Sequence, residues 1–133
     1  MSKSPRILRC LSAALLVTIG SIGMNPAQAA NLGFLHDTPA SYMKQADYDS
    51  LTRAVRDAVA NKADGEATTW SNEGLRNSVK VDATITPTKT DKDGDKTCRT
   101  TDVVVNAKGQ SMTLRPRFCR TGASGAWVFQ KPH

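Results

Sequence analysis

Between Tyr48 and Val59 the apolar residues Tyr48, Leu51, Val55, Ala58 and Val59 recur at three- and four-residue steps, with Asp49, Arg53, Arg56 and Asp57 on the other side. This period predicts an amphipathic helix over about Asp47 to Lys62. Asp47 is its expected N-cap and Gly65 its expected stop. Upstream, after a loose start from Asn31, Thr38 followed by Pro39 predicts one helical turn to about Met43. From Ala67 the apolar period becomes two, and turn residues divide the remainder into five expected strands. These run over about Ala67 to Ser71, Val79 to Thr90, Thr97 to Ala107, Ser111 to Arg120 and Ala126 to Gln130. The connections are Asn72 to Ser78, Asp91 to Gly94, Asn106 to Gly109 and Thr121 to Gly125. Two of them place Asp or Asn three residues before Gly, as in tight turns that end in a left-handed residue.

Residues that face each other across a hairpin keep one register, so pairing can be counted outward from the turn. With Lys108-Gly109 as a two-residue turn, Val105 faces Met112, Val103 faces Leu114, Arg99 faces Phe118 and Cys98 meets Cys119. Asp102 and Arg115 pair on the other face. The two cysteines form a non-hydrogen-bonded pair, in which side chains approach most closely and a bridge strains least. Pro116 conflicts with this register, because opposite Thr101 it should donate an N–H. A bulge near Pro116, or a longer turn ending at Gly109, is the expected accommodation. Trp127 and Phe129 lie on one side of the last strand and join Phe118, Val81, Ala83 and Ile85 in one apolar surface, against which the helix must bury its stripe. The expected fold is α+β: one main N-terminal helix on a four- to five-stranded curved antiparallel sheet, held by one disulfide.

The first 29 residues have a different character. A basic start (Lys3, Arg6, Arg9), an apolar run from Leu11 to Met24 and the small-residue exit Ala27-Gln28-Ala29 form a secretory signal, with cleavage expected after Ala29. A transmembrane anchor is the competing reading, but a run of about 14 residues interrupted by glycine falls short of the ~20 that a span needs. Cys10 precedes the apolar run, whereas a lipid-attachment cysteine would close it. The expected organisation is therefore a signal over residues 1–29, an extended or short helical segment over 30–46, and a single domain over 47–133. The mature chain of roughly 104 residues suffices for one modest domain. Its two remaining cysteines, Cys98 and Cys119, pair by default in an oxidising compartment, two free buried thiols being the alternative.

Loss of Lys3, Arg6 and Arg9 lowers the formal charge from +6 to about +3. The basicity is uneven. From Lys96 onward, Lys96, Arg99, Lys108, Arg115, Arg117, Arg120 and Lys131 face a single acid, Asp102, while residues 30–95 are acidic.

Trp70-Ser71-Asn72, the strand Ile85-Thr86-Pro87-Thr88-Lys89-Thr90, Cys98-Arg99, Gly109, Cys119-Arg120 and Gly125-Ala126-Trp127 follow one another in an order that resembles the 17 kDa surface antigen family of proteobacterial outer membranes. That family has a tryptophan, a Thr-Pro-Thr-Arg-Thr-like strand, two Cys-Arg pairs and a closing Gly-x-Trp. The likeness covers about Asp47 to Phe129. Members are often lipoproteins with a glycine-zipper segment before the domain; this chain has neither, so the resemblance is to the soluble C-terminal domain and implies envelope location and fold rather than mechanism.

No catalytic residues emerge. His36 and His133 are the only candidates for the usual base and lie near the mature ends, and the acids cluster on turns and on the helix surface. The acidic loop Asp91-Lys92-Asp93-Gly94-Asp95 invites a calcium reading, but Lys96 stands where such a loop requires glycine and the flanks are strands, so a solvated hairpin tip is expected. No metal site and no cofactor are expected. Trp70 and Trp127 could be stacking platforms; alternation assigns Trp127 to the core and leaves Trp70 open. The binding candidates are Arg115, Arg117 and Arg120, expected to alternate on the disulfide face, together with Arg99. Arginine suits bidentate contact with phosphate or carboxylate, and a solvated face with an Asp102–Arg115 pair is the competing reading. Nucleic acid is disfavoured by compartment and modest charge.

The expected function is thus a non-enzymatic binding or structural module of the cell envelope, periplasmic or associated with the outer membrane or cell surface. It would contact an anionic glycan, a lipid headgroup or a protein partner. The alternatives are a small periplasmic inhibitor of a lysozyme-type hydrolase and an enzyme using unrecognised carboxylate chemistry.

Overall fold

A computed structural model describes residues 38–132. The expected signal, its expected cleavage position, the loose start expected at 31–37, and both histidines lie outside the described residues.

A 3-10 turn, Pro39–Tyr42, leads into helix α1, Gln45–Asn61, and six strands follow: β1 (Thr68–Ser71), β2 (Val81–Asp93), β3 (Lys96–Ala107), β4 (Gln110–Leu114), β5 (Arg117–Thr121) and β6 (Val128–Gln130). All pair antiparallel in one sheet of order β1-β2-β3-β5-β6, with β4 on β3 beside β5. The helix packs over β1, β2 and β3. Leu51, Val55, Ala58 and Val59 bury against Val81, Ala83, Ile85, Val103 and Val105. This is the α+β fold expected, with a sixth strand.

The extra strand comes from Pro116. One register runs unbroken from Ala107↔Gln110 through Val103↔Leu114 to Cys98↔Cys119. Thr101 N–H donates to Pro116 O at 3.0 Å, so the proline forfeits only the reciprocal bond. The ladder is interrupted at Arg115-Pro116 without a shift, and no bulge forms there. The bulge lies instead on β2 between Pro87 and Lys89, where the Thr88 hydroxyl donates to Thr100 O at 3.2 Å. The turn that sets the register has Lys108 at φ 53° and Gly109 at φ 74°, two left-handed residues as a tight two-residue hairpin requires.

Other boundaries differ from expectation. Lys44, not Asp47, is the N-cap residue; Asp47 sits in the first turn and accepts the Lys44 N–H at 2.9 Å. The helix ends at Asn61 with Lys62 as its C-cap, before Gly65. The β2–β3 hairpin runs on through Asp91 and Asp93 and turns at Gly94-Asp95, because Asp93 still pairs with Lys96.

Cys98 and Cys119 are bridged, with Cα atoms 4.1 Å apart, the close spacing of a non-hydrogen-bonded pair. Parity puts them on the face away from α1, where both are buried. The bridge spans 21 residues, and closing a loop of that size contributes on the order of 3 kcal/mol. The Cys98→Ala/Cys119→Ala protein should lose about that much unfolding free energy in a urea titration. A loss below about 0.5 kcal/mol would mean that the ladder alone holds β5.

The β5–β6 loop depends on Gly125, where an added Cβ would collide with the carbonyl oxygen of Thr121. Gly125→Ala should destabilise the domain by about 1–3 kcal/mol through forced loop movement. Thermal unfolding measures this, with Gly122→Asn as a milder control at an unobstructed position.

Candidate functional site

An α-helix is about 10 Å wide and strands lie about 4.8 Å apart, so one helix covers little more than two or three strands. Here it leaves the β4–β5 side of the sheet bare, and a groove of about 370 Å3 opens between helix and sheet. Tyr48, Leu51, Thr52, Val55 and Arg56 of α1 form one wall, and Ala40 and Met43 close one end. Val103 and Val105 of β3, Met112 and Leu114 of β4, Pro116, Phe118 and Phe129 form the floor and the other wall. Four large apolar side chains stand exposed among the described residues, and three of them, Tyr48, Leu114 and Phe129, line this opening. Phe118 and Phe129 pack edge to face with centroids 5.8 Å apart, which fixes the corner. Tyr48 is held by its hydroxyl, which donates to Ala40 O at 2.7 Å. Arg56 and Tyr48 are the titratable side chains of the lining.

The four arginines singled out from sequence do not form one strip. Arg115 and Arg117 share the disulfide face, paired across the sheet with Asp102 and Thr100, but Arg120 faces Thr97 and therefore points to the helix side with Phe118. Strand parity requires this: Arg120 is one residue beyond Cys119. The Arg120 guanidinium lies over the Trp127 ring, 4.6 Å from its centroid, which accounts for that tryptophan. Trp70 packs on the core and its indole N–H donates to Ser50 Oγ at 3.0 Å.

Acids also occupy the outward pair. Arg115 is 3.3 Å from Asp102, and Arg117 lies 3.5 Å from Asp91 and 3.7 Å from Asp93. The acidic hairpin thus serves as counter-charge for Arg117, and no group of His, Cys, Asp and Glu among the described residues could hold a metal ion.

Arg99 is buried and acts as a tie between layers. Its guanidinium donates to Val59 O, to Asp64 Oδ1 at 2.8 Å and, through Nε, to Thr90 Oγ1 at 3.0 Å. These bonds clamp the end of α1 to β2 and β3, so Arg99 is committed to structure. The hydrogen bond from Arg99, followed by that from Thr90, holds the Asp64 carboxyl below its ordinary range. Burial pushes Asp47 up, but bonds from Lys44 N–H and the Asn77 amide, the latter at 2.6 Å, more than offset it and leave its pKa lowered. Glu66 is lowered by the Ala63 N–H and then by Lys62.

No family model, curated protein or solved structure matches this chain. The fold and groove define a single-helix α+β domain with an apolar opening beside its sheet edge. No helix among the described residues is long and apolar enough to cross a membrane.

The groove escaped sequence reading because Tyr48, Met112 and Leu114 all satisfied the core pattern. The available signal was arithmetic: one helix cannot cover a sheet of this width.

Two outcomes follow from the buried polar ties. Arg99→Met should cost about 2–4 kcal/mol in urea unfolding, since the Val59 carbonyl loses its donor and Asp64 keeps only the Thr90 hydroxyl. The lowered carboxyls of Asp47, Asp64 and Glu66 contribute stability that is present above the ordinary carboxylate range and is lost as pH falls through their folded values. The melting temperature should therefore hold from about pH 7 to 5 and fall below about pH 4. In Asp47→Asn that acid-dependent loss should be smaller, which a pH series of melts would measure.

Proposed function

We propose that this chain is an exported, non-enzymatic binding module of the cell envelope and that its binding surface is the apolar groove between α1 and β3–β5. The observation that carries this reading is the convergence of Tyr48, Leu114 and Phe129 on one opening of about 370 Å3. An apolar concavity rimmed by exposed large side chains is the ordinary form of a recognition site. Export is supported by the three-part leader sequence and by a buried disulfide, which persists in oxidising compartments. Envelope location rests on the ordered residues that resemble the 17 kDa surface antigen family.

Binding rather than turnover is supported by the lining itself, in which Arg56 and Tyr48 stand among aliphatic and aromatic groups with no carboxylate beside them. Of the partners expected from sequence, a protein surface fits such a groove better than an anionic glycan or headgroup. Three of the four named arginines already face acids, and Arg120 is stacked on Trp127.

A neutral naphthylamine dye should bind saturably to the mature protein, with a fluorescence increase that changes little with salt. Leu114→Gln should weaken it about tenfold, the equivalent of roughly 1.4 kcal/mol of lost apolar contact. The triple variant Arg115→Gln/Arg117→Gln/Arg120→Gln should leave dye binding unchanged. The reverse pattern, with binding lost in the arginine variant and kept in Leu114→Gln, would refute the groove.

A further inference from the structure

Hydrogen bonding along an antiparallel strand alternates sides. On the strand after Lys108-Gly109, the bond from Thr101 to Pro116 O fixes which residues face β3: Gln110, Met112, Leu114 and Pro116. Ser111 and Thr113 therefore aim their N–H and C=O groups the other way. Further along, that outer edge is occupied by β6, which pairs Arg117 with Gln130 and Cys119 with Val128. Continued past Gln130, the same register would set Pro132 against Arg115, in a position that calls for an N–H that proline lacks. The pairing stops there, and among the described residues nothing pairs with the outer edge of β4.

This open edge borders the groove. Met112 and Leu114 line the cavity while Ser111 and Thr113, between and beside them, offer backbone groups at its lip. An extended segment laid along β4 would satisfy those donors and acceptors and direct every second side chain toward the cavity, the combination used in strand-addition binding. Basic residues stand around the edge. Lys108 precedes β4, Arg115 follows it, Lys131 follows β6, and Arg56 lines the groove from the helix side. Arg115 is paired with Asp102 on the opposite face, so the cations that bear on the groove are Lys108, Lys131 and Arg56.

We infer that the partner is an extended protein segment, apolar at alternate positions and flanked by acidic residues, which adds as a strand to the outer edge of β4 and fills the groove with its alternate side chains. This rests on the groove being the binding surface and names what it takes. Apolar anchors supply affinity, the backbone ladder selects an extended conformation, and the cationic surround selects acidic flanks.

The test uses the full mature chain and a capped peptide that alternates Leu with Thr and ends in two glutamates. Peptide binding should displace the naphthylamine dye and slow amide exchange at Ser111 and Thr113, while Met112, already bonded to β3, changes little. Of two N-methylated peptides, one for each alternate set of amides, one should lose at least about tenfold in affinity and the other should retain it, because only one set faces β4. Exchanging the glutamates for lysines should weaken binding at low salt. Equal binding of both methylated peptides would overturn strand addition and leave the groove reading standing. So would protection of Ser111 and Thr113 before any peptide is added, which would mean that the chain's own residues 31–37 or a second copy fill the edge. Absence of peptide binding with the dye still bound overturns the inference alone. Absence of both overturns the groove as well.

Discussion

The domain depends on one register, that of β3 against the strand leaving the Lys108-Gly109 turn. Ten pairs of residues along β3 follow it, five with β4 and five with β5. A slip of one residue would turn Met112, Leu114 and Phe118 to the far face, away from Val103 and Val105, and separate the two cysteines. Three independent features hold the register in place: the left-handed turn, the apolar alternation against α1, and the covalent bond between Cys98 and Cys119. Their agreement lets so short a sheet tolerate a proline in its middle.

The two faces of this sheet are stabilised differently. On the helix side, apolar burial does most of the work, and Arg99 joins the end of α1 to the strands through bonds that leave little of its charge exposed. On the far side there is no second layer of secondary structure among the described residues; the disulfide and the ion pairs of Arg115 and Arg117 lie there instead. Surface pairs of that kind contribute little to stability, so their importance lies in neutralising a row that would otherwise repel. As a result, most of the exposed large apolar side chains among the described residues lie on one side, where the helix runs out of width.

Much of this arrangement was legible beforehand, for identifiable reasons. A helix of period 3.6 and strands of period two announce themselves, and the register followed from a single turn, which is why Cys98↔Cys119 and Asp102↔Arg115 stand as counted. The errors arose where local signals compete with tertiary ones. Asp47 has the chemistry of a cap, yet from within the first turn it does the same service by reaching back to Lys44. Pro116 announces a bulge by its missing donor, but Thr101 needs only its carbonyl. Composition groups Arg120 with its basic neighbours, although its parity is that of Phe118. Nothing in the sequence shows that Val59, Asp64 and Thr90 meet around Arg99, so composition leaves it among the available cations. The groove is a property of relative widths, and no single residue reports it.

Pro116 divides what is geometrically one long strand into unequal partners. The half beyond it is sewn to β3 by sulfur and flanked by β6; the half before it has backbone bonds on one side only. Of the two halves paired with β3, Gln110–Leu114 is therefore the less restrained, having no covalent tie and backbone bonds on one side. The domain thus has a tied half and an untied one, and the untied half is the wall that carries Met112 and Leu114. Displacement of that wall changes the width of the groove without disturbing the packing beneath the helix.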